Sequence, residues 1–290
     1  MNETWTSAVG RRSPSLALAA VPAMAFAIAL QAGCADAPPD PQAPLDRPAL
    51  DRAGDLPGTH RQYGTPVQVG EGRARTYIVL NKGVPLELGV ALDERAANGL
   101  PDAPTDHHRI QYLLPLPAQN PTPFQLVELD WRRIGHPPAP IYMLPHFDVH
   151  FYTIGLDERN AIDPADPSFQ ARASNFPAPA YIPPHYFTPL PAVGEEQMGV
   201  HWVDFTSPEL PPQLKPFTRT YIYGTWDGRV IFQEPMITRD YLLTHPDVLA
   251  PIPVAARYSP AGYYPAAYRV TFDEQAREYR IGMANLAWRE

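Results

Sequence analysis

One cysteine, Cys34, is present in 290 residues. An intramolecular disulfide is therefore excluded, and any transition metal must be held by His, Asp and Glu instead of a Cys-based site. Lysine is nearly as scarce: Lys82 and Lys215 are the only two, and Arg supplies the rest of the positive charge. That imbalance reads as genomic composition, not function. A net charge of −8 leaves no basic footprint, which argues against a nucleic-acid partner. The chain has no G-x-S-x-G elbow, no phosphate-cradling glycine-rich loop and no reactive Cys beyond Cys34. No period of about 20–50 residues repeats.

Proline is abundant, with 38 residues. It removes backbone donors and breaks helices, so long helices are disfavoured and short strands joined by rigid loops are expected. The length permits one large domain or two small ones.

The amino terminus has the layout of a targeting segment. Arg11-Arg12 precede an apolar run, Ser15–Leu30, too short for a membrane span, and Gln31-Ala32-Gly33-Cys34 follow. Ala-Gly before the only Cys resembles the bacterial lipoprotein processing box, although Gln31 stands where that box has Leu or a similar residue. The expectation is a signal peptide over 1–33, lipidation of Cys34, and a Pro/Ala/Asp-rich tether over 34–58. It implies membrane attachment through the lipid and a periplasmic or cell-envelope location. The alternative is a secreted soluble protein cleaved nearby. One β-rich domain is expected over 59–290.

Within it, the informative stretch is Pro145-His146-Phe147-Asp148-Val149-His150-Phe151-Tyr152. At strand period, His146, Asp148, His150 and Tyr152 share one face while Phe147, Val149 and Phe151 share the other. One face suits a core; the other carries groups that bind metals or move protons. Strands are also expected over 73–80, 84–90, 110–116, 124–129, 198–205, 218–223, 229–233, 268–272 and 278–283, with a short helix over 92–99, a helical turn over 239–245 and a long loop over 160–184. The fold class is all-β, a mainly antiparallel barrel or sandwich with one or two short helices and long Pro-rich loops.

The candidate ligands are His146, His150 and His201, with Asp148 and Glu234 as additional ligands or as carboxylates that orient them. The implied cofactor is a divalent transition metal, Zn²⁺ first, with Fe, Mn or Ni as alternatives. Geometry limits this set: His146 and His150 lie about 13 Å apart in a regular strand, so sharing an ion requires a bulge or a strand that starts later. His60, His136, His185 and His245 are expected in loops, and Glu195-Glu196 as solvated charge. Trp131, Trp202 and Trp226 are expected in the core.

Several of these pieces together resemble the TTHB-like domain, a bacterial family of unknown function typified by a small Thermus protein. They are Gly89-Val90, Gly99-Leu100-Pro101, Asp130-Trp131, Gly135-His136-Pro137, the His146–Tyr152 core, Met198–Asp204, and Tyr223-Gly224 through Phe232–Ile237. The resemblance spans roughly residues 65–245, leaving out 160–184 and the C-terminal stretch. It implies an extracytoplasmic, oligomeric β-rich domain and adds weight to His146, Asp148, His150, His201 and Glu234 as a set. It implies no reaction. Three functions remain open: a metal-binding domain, a metal-dependent enzyme of cupin-like chemistry, and an envelope interaction protein whose His/Asp core holds no metal. A small-molecule partner is unspecified.

Overall fold

The structure, a computed structural model, describes residues 57–102 and 109–290. The signal peptide, Cys34, all but the end of the tether, and His107-His108 lie outside the described residues.

Among the described residues sixteen strands follow one another: β1 (Thr59–Tyr63), β2 (Val67–Val69), β3 (Gly72–Asn81), β4 (Val84–Asp93), β5 (Ile110–Leu114), β6 (Leu126–Arg132), β7 (His146–Tyr152), β8 (Tyr186–Phe187), β9 (Val200–Asp204), β10 (Arg219–Trp226), β11 (Arg229–Thr238), β12 (Asp247–Pro251), β13 (Gly262–Tyr264), β14 (Ala267–Asp273), β15 (Glu278–Ala284) and β16 (Ala287–Arg289). The helices are single turns: α1 (Leu156–Asn160), α2 (Phe169–Ala173) and α3 (Arg239–Leu242). One seven-stranded sheet runs β1-β3-β4-β15-β14-β12, with β2 on β3. The other runs β5-β6-β7-β11-β10-β9-β8, and β13 and β16 form a separate pair. Every pairing is antiparallel.

The protein is therefore a sandwich, and the barrel alternative is set aside because both large sheets end in edge strands that do not close on themselves. The main core joins residues of both sheets, among them Ile78, Leu88, Val90, Val270 and Ile281 from the first and Val127, Leu129, Phe147, Val149 and Phe151 from the second. Alternation thus does in β7 what its sequence dictates: the Phe-Val-Phe face enters the sandwich.

The expected helix at 92–99 does not form. Leu92 and Asp93 complete β4, where Leu92 pairs with Ala74 and Tyr279, and only a 3₁₀ turn follows at Glu94–Ala97. Burying Leu92 in the sheet outweighs the weak local preference of so short a segment. The loop expected over 160–184 carries α2 and a 3₁₀ turn at Pro179–Tyr181. The strands that sequence patterning missed, β1, β2, β8, β12, β13 and β16, are short and mostly marginal to the sheets, where apolar alternation is weakest.

The outward face of the second sheet is not solvated. Ile154, Ile162, Phe169, Ala173, Ala192 and Met198 cover one end of it, packing on Tyr152, Trp226 and Phe232. Tyr142 and Phe217 cover another part, on Ile222 and Met236. The polar face of β7 is thereby sealed under loops, and every residue of β7 is buried. Burial of this kind requires each polar group to find a partner.

Candidate metal centre

Strand register determines what meets on that face. Glu128 stands opposite His150, Asp130 opposite Asp148 and Arg132 opposite His146. On the other side of β7, Tyr152 faces Phe232 and Asp148 faces Met236, which brings Glu234 level with His150. His201 on β9 pairs with Gly224 of β10, and Gly224 in turn faces Phe232. A Cβ at Gly224 would fall 1.9 Å from the Phe232 ring. The missing side chain lets that ring lie flat across β10, 4.9 Å from His150 and 5.5 Å from His201 between ring centroids. Gly224→Ala should therefore displace the buried Phe232 ring, costing about 1–3 kcal/mol. A thermal melt together with metal content checks this: both should fall.

Among the described residues three groups of ligand-type side chains result, the atoms of each lying within 4.8 Å of one another: His150 with His201 and Glu234, His136 with His146 and Asp148, and Glu128 with Asp130 and His150. The single ion expected through His146, His150 and His201 is not what the backbone allows. The ladder between β6 and β7 runs without a register shift from His146 to Tyr152, so the bulge needed to bring His146 and His150 together is absent. His150 and His201 do converge, on Glu234; His146 turns instead to Asp148. His136, expected as a loop residue, lies in its loop but with its ring 4.9 Å from that of His146. Glu195, expected as solvated charge, is half-exposed yet stands 3.8 Å from His201 Nδ1. The sequence signal that could have found His136 is its Gly135-His136-Pro137-Pro138 context, a rigid turn that aims one side chain.

In the first group, His150 Nε2 is 3.3 Å and His201 Nε2 is 3.7 Å from Glu234 Oε2. Two ligands of zinc, each about 2.0–2.2 Å from the ion at a tetrahedral angle, lie about 3.4 Å apart. His150 Nε2 and Glu234 Oε2 are buried and neither is aligned for a hydrogen bond, despite their proximity. Among the described residues Glu234 makes no ion pair with Lys or Arg; its only charged partners are the two imidazoles. Burial pushes the His150 imidazole towards the neutral form, but Glu234, then Asp130 and Glu128, outweigh it and lift the pKa to about 9. Without a metal the ring thus takes up a proton; the same negative surroundings favour a cation of either kind.

The third group is compensated in part: cationic and amide side chains hold its carboxylates, while both Asp130 oxygens and His150 Nδ1 are buried and form no hydrogen bond. Arg159 of α1 donates to Glu128 Oε2, Gln111 donates to Oε1 at 3.2 Å, and Arg109 lies 3.3 Å from Asp130. Burial, with the Glu128 charge added, raises the Asp130 carboxyl well above its ordinary pKa. This is an ion-pair network that fastens α1 to the sheet.

His136 and His201 both reach a cavity of about 490 Å³ whose walls include Tyr142, Phe187 and Val203, with Glu195 at its edge. His185 and His245 remain at turns with positive φ, while His60 sits in β1 instead of a loop, away from both groups. Trp131 and Trp226 are buried; Trp202 is only partly so. Compared with protein-family models, curated proteins and solved structures, the chain shows no significant match to any, so function is argued from this geometry alone.

Proposed function

We propose that the protein binds a divalent transition-metal ion through His150, His201 and Glu234 and presents it to the adjoining cavity. The observation that carries this is Glu234: a buried carboxylate with no Lys or Arg partner among the described residues, its Oε2 lying within 3.3 and 3.7 Å of two imidazole nitrogens. Two imidazoles and a carboxylate suit Zn²⁺, and equally Fe²⁺ or Mn²⁺, because donor type alone does not select among them. The test is elemental analysis of the untagged protein beside His201→Ala. A stoichiometric ion that the variant loses supports the centre; a wild type still empty after incubation with Zn²⁺, Mn²⁺ and Fe²⁺ rejects it.

The cavity favours a second reading in which the ion is catalytic. Three protein ligands leave at least one coordination position open, and His201 stands at the cavity wall. An ion held by His150, His201 and Glu234 would supply Lewis-acid chemistry at the cavity, towards water or a small, largely apolar molecule that carries an oxygen donor. Glu195, beside His201 but outside the ligand set, is positioned to accept a proton.

The export signal supports a location outside the cytoplasm, with the domain tethered by lipid on Cys34, in keeping with the resemblance to the TTHB-like family and its oligomeric members. Labelled palmitate should enter the wild type expressed in a bacterial host, and Cys34→Ala should abolish incorporation and release the protein from the membrane fraction.

A further inference from the structure

We propose a second divalent metal site, formed by His136, His146 and Asp148 and facing the same cavity as the centre at His150, His201 and Glu234. It shares no ligand with that centre, so either can stand without the other.

The argument begins with tautomers. His146 Nδ1 is 2.6 Å from the Leu144 carbonyl oxygen, and His136 Nδ1 is 2.7 Å from that of Pro137. A carbonyl only accepts, so each ring must carry its proton on Nδ1, and each neutral ring then presents a lone pair at Nε2. Both Nε2 atoms turn to Asp148: His146 Nε2 is 3.0 Å from Oδ1 and His136 Nε2 is 3.7 Å from Oδ2. His146 Nε2 and Asp148 Oδ1 are buried and form no hydrogen bond. Three acceptors converge, which is costly unless a cation joins them. A backbone carbonyl that fixes the ring through Nδ1 while Nε2 takes the ion is the usual support for a ligating histidine.

The backbone builds this arrangement deliberately. The loop between β6 and β7 returns on itself, with the His136 N–H donating to the Tyr142 carbonyl at 3.0 Å. Gly135 permits the return: its φ is +74°, and a Cβ there would lie 2.0 Å from Tyr142 O. His136 is carried by this turn to a point over His146, which is fixed by β7.

Arg132 modifies the site. Its Nε donates to Asp148 Oδ2 at 2.9 Å, so one oxygen is shared with a cation and Oδ1 is left for the metal. A neighbouring positive charge weakens binding of a divalent ion. Glu234 has no Arg or Lys partner among the described residues, so the His136 site should fill second and empty first.

The experiment is metal content and Co²⁺ absorption titration of the untagged full chain, beside His136→Ala and His201→Ala. Both side chains are partly exposed at the cavity, 18% and 22%, which limits the damage to folding. Circular dichroism verifies the fold, and His136→Gln replaces His136→Ala if that variant fails to fold. Two ions per chain are expected in the wild type, binding in two steps, and one in each variant. One ion that His201→Ala loses and His136→Ala keeps would overturn this inference and leave the first centre standing. One ion lost by His136→Ala alone would do the reverse. One ion lost by both variants would mean a single shared centre, and no ion at all would reject both sites.

Discussion

Removing bound metal with a strong chelator should lower the thermal unfolding midpoint by roughly 8–16 °C. A ligand present at about a thousand times its dissociation constant, and bound only by the folded state, adds about 4 kcal/mol. For a domain of this size each kcal/mol moves the midpoint by about 2–4 °C. His150→Ala should show a clearly smaller chelator response, because it removes the imidazole closest to Glu234 and leaves only the ion at His136, His146 and Asp148. The shift should also depend on pH. Without metal, His150 has a pKa of about 9, above the ordinary value near 6.5, because it pairs with Glu234 in spite of its burial. A raised histidine pKa contributes stability that is complete below about 6.5 and lost as pH rises through about 9. The metal-free protein should thus weaken across that window. Metal binding strengthens over the same range as the competing proton leaves, so the gap between the two forms should widen. Differential scanning calorimetry at pH 6, 7.5 and 9, with and without chelator, measures it; a gap that narrows with pH would contradict the pairing of His150 with Glu234.

Glu128→Ala should unfold the protein more readily, by about 3–5 kcal/mol, yet leave its metal content unchanged. Glu128 is fully buried and holds the Arg159 guanidinium, itself 3% exposed, with Arg109 and Gln111 also on its oxygens. Removing one partner strands a buried charge, which accounts for the size of the loss. Urea denaturation compares the single variants with Glu128→Ala/Arg159→Ala, where the double variant should lose less than the two singles added together. The pairing of large stability loss with intact metal binding is what separates this network from the ligand groups beside it. A Glu128→Ala protein that folds but has lost its ion would place Glu128 in the coordination sphere instead.

Much of the architecture follows from local pattern. Alternation in β7 alone separates Phe147, Val149 and Phe151, which enter the core, from His146, Asp148 and His150, which share the opposite face. The strong hairpins, β3 with β4, β10 with β11 and β14 with β15, are legible because each has two apolar faces or alternating runs flanking a turn. His150, on the polar face of β7, and His201 and Glu234 could be singled out as candidate ligands before anything placed them together.

What a sequence pattern cannot carry is the register between strands distant in the chain, or the surface a loop covers. Pairing β7 with both β6 and β11 puts Glu234 beside His150 and gives Glu128 to Arg159, and it splits the anticipated cluster in two. Glycine at 224 lets Phe232 pack against both imidazoles, a consequence of cross-strand contact and not of either segment alone. His136 enters through a return of the chain over β7, which depends on backbone hydrogen bonding to Tyr142. The sequence by itself determined an all-β chain with a polar strand face rich in metal-type ligands, because side-chain alternation is a local property. Only the tertiary structure decided which ligands meet, because convergence within a few ångströms depends on long-range register and on the loops that bury that face.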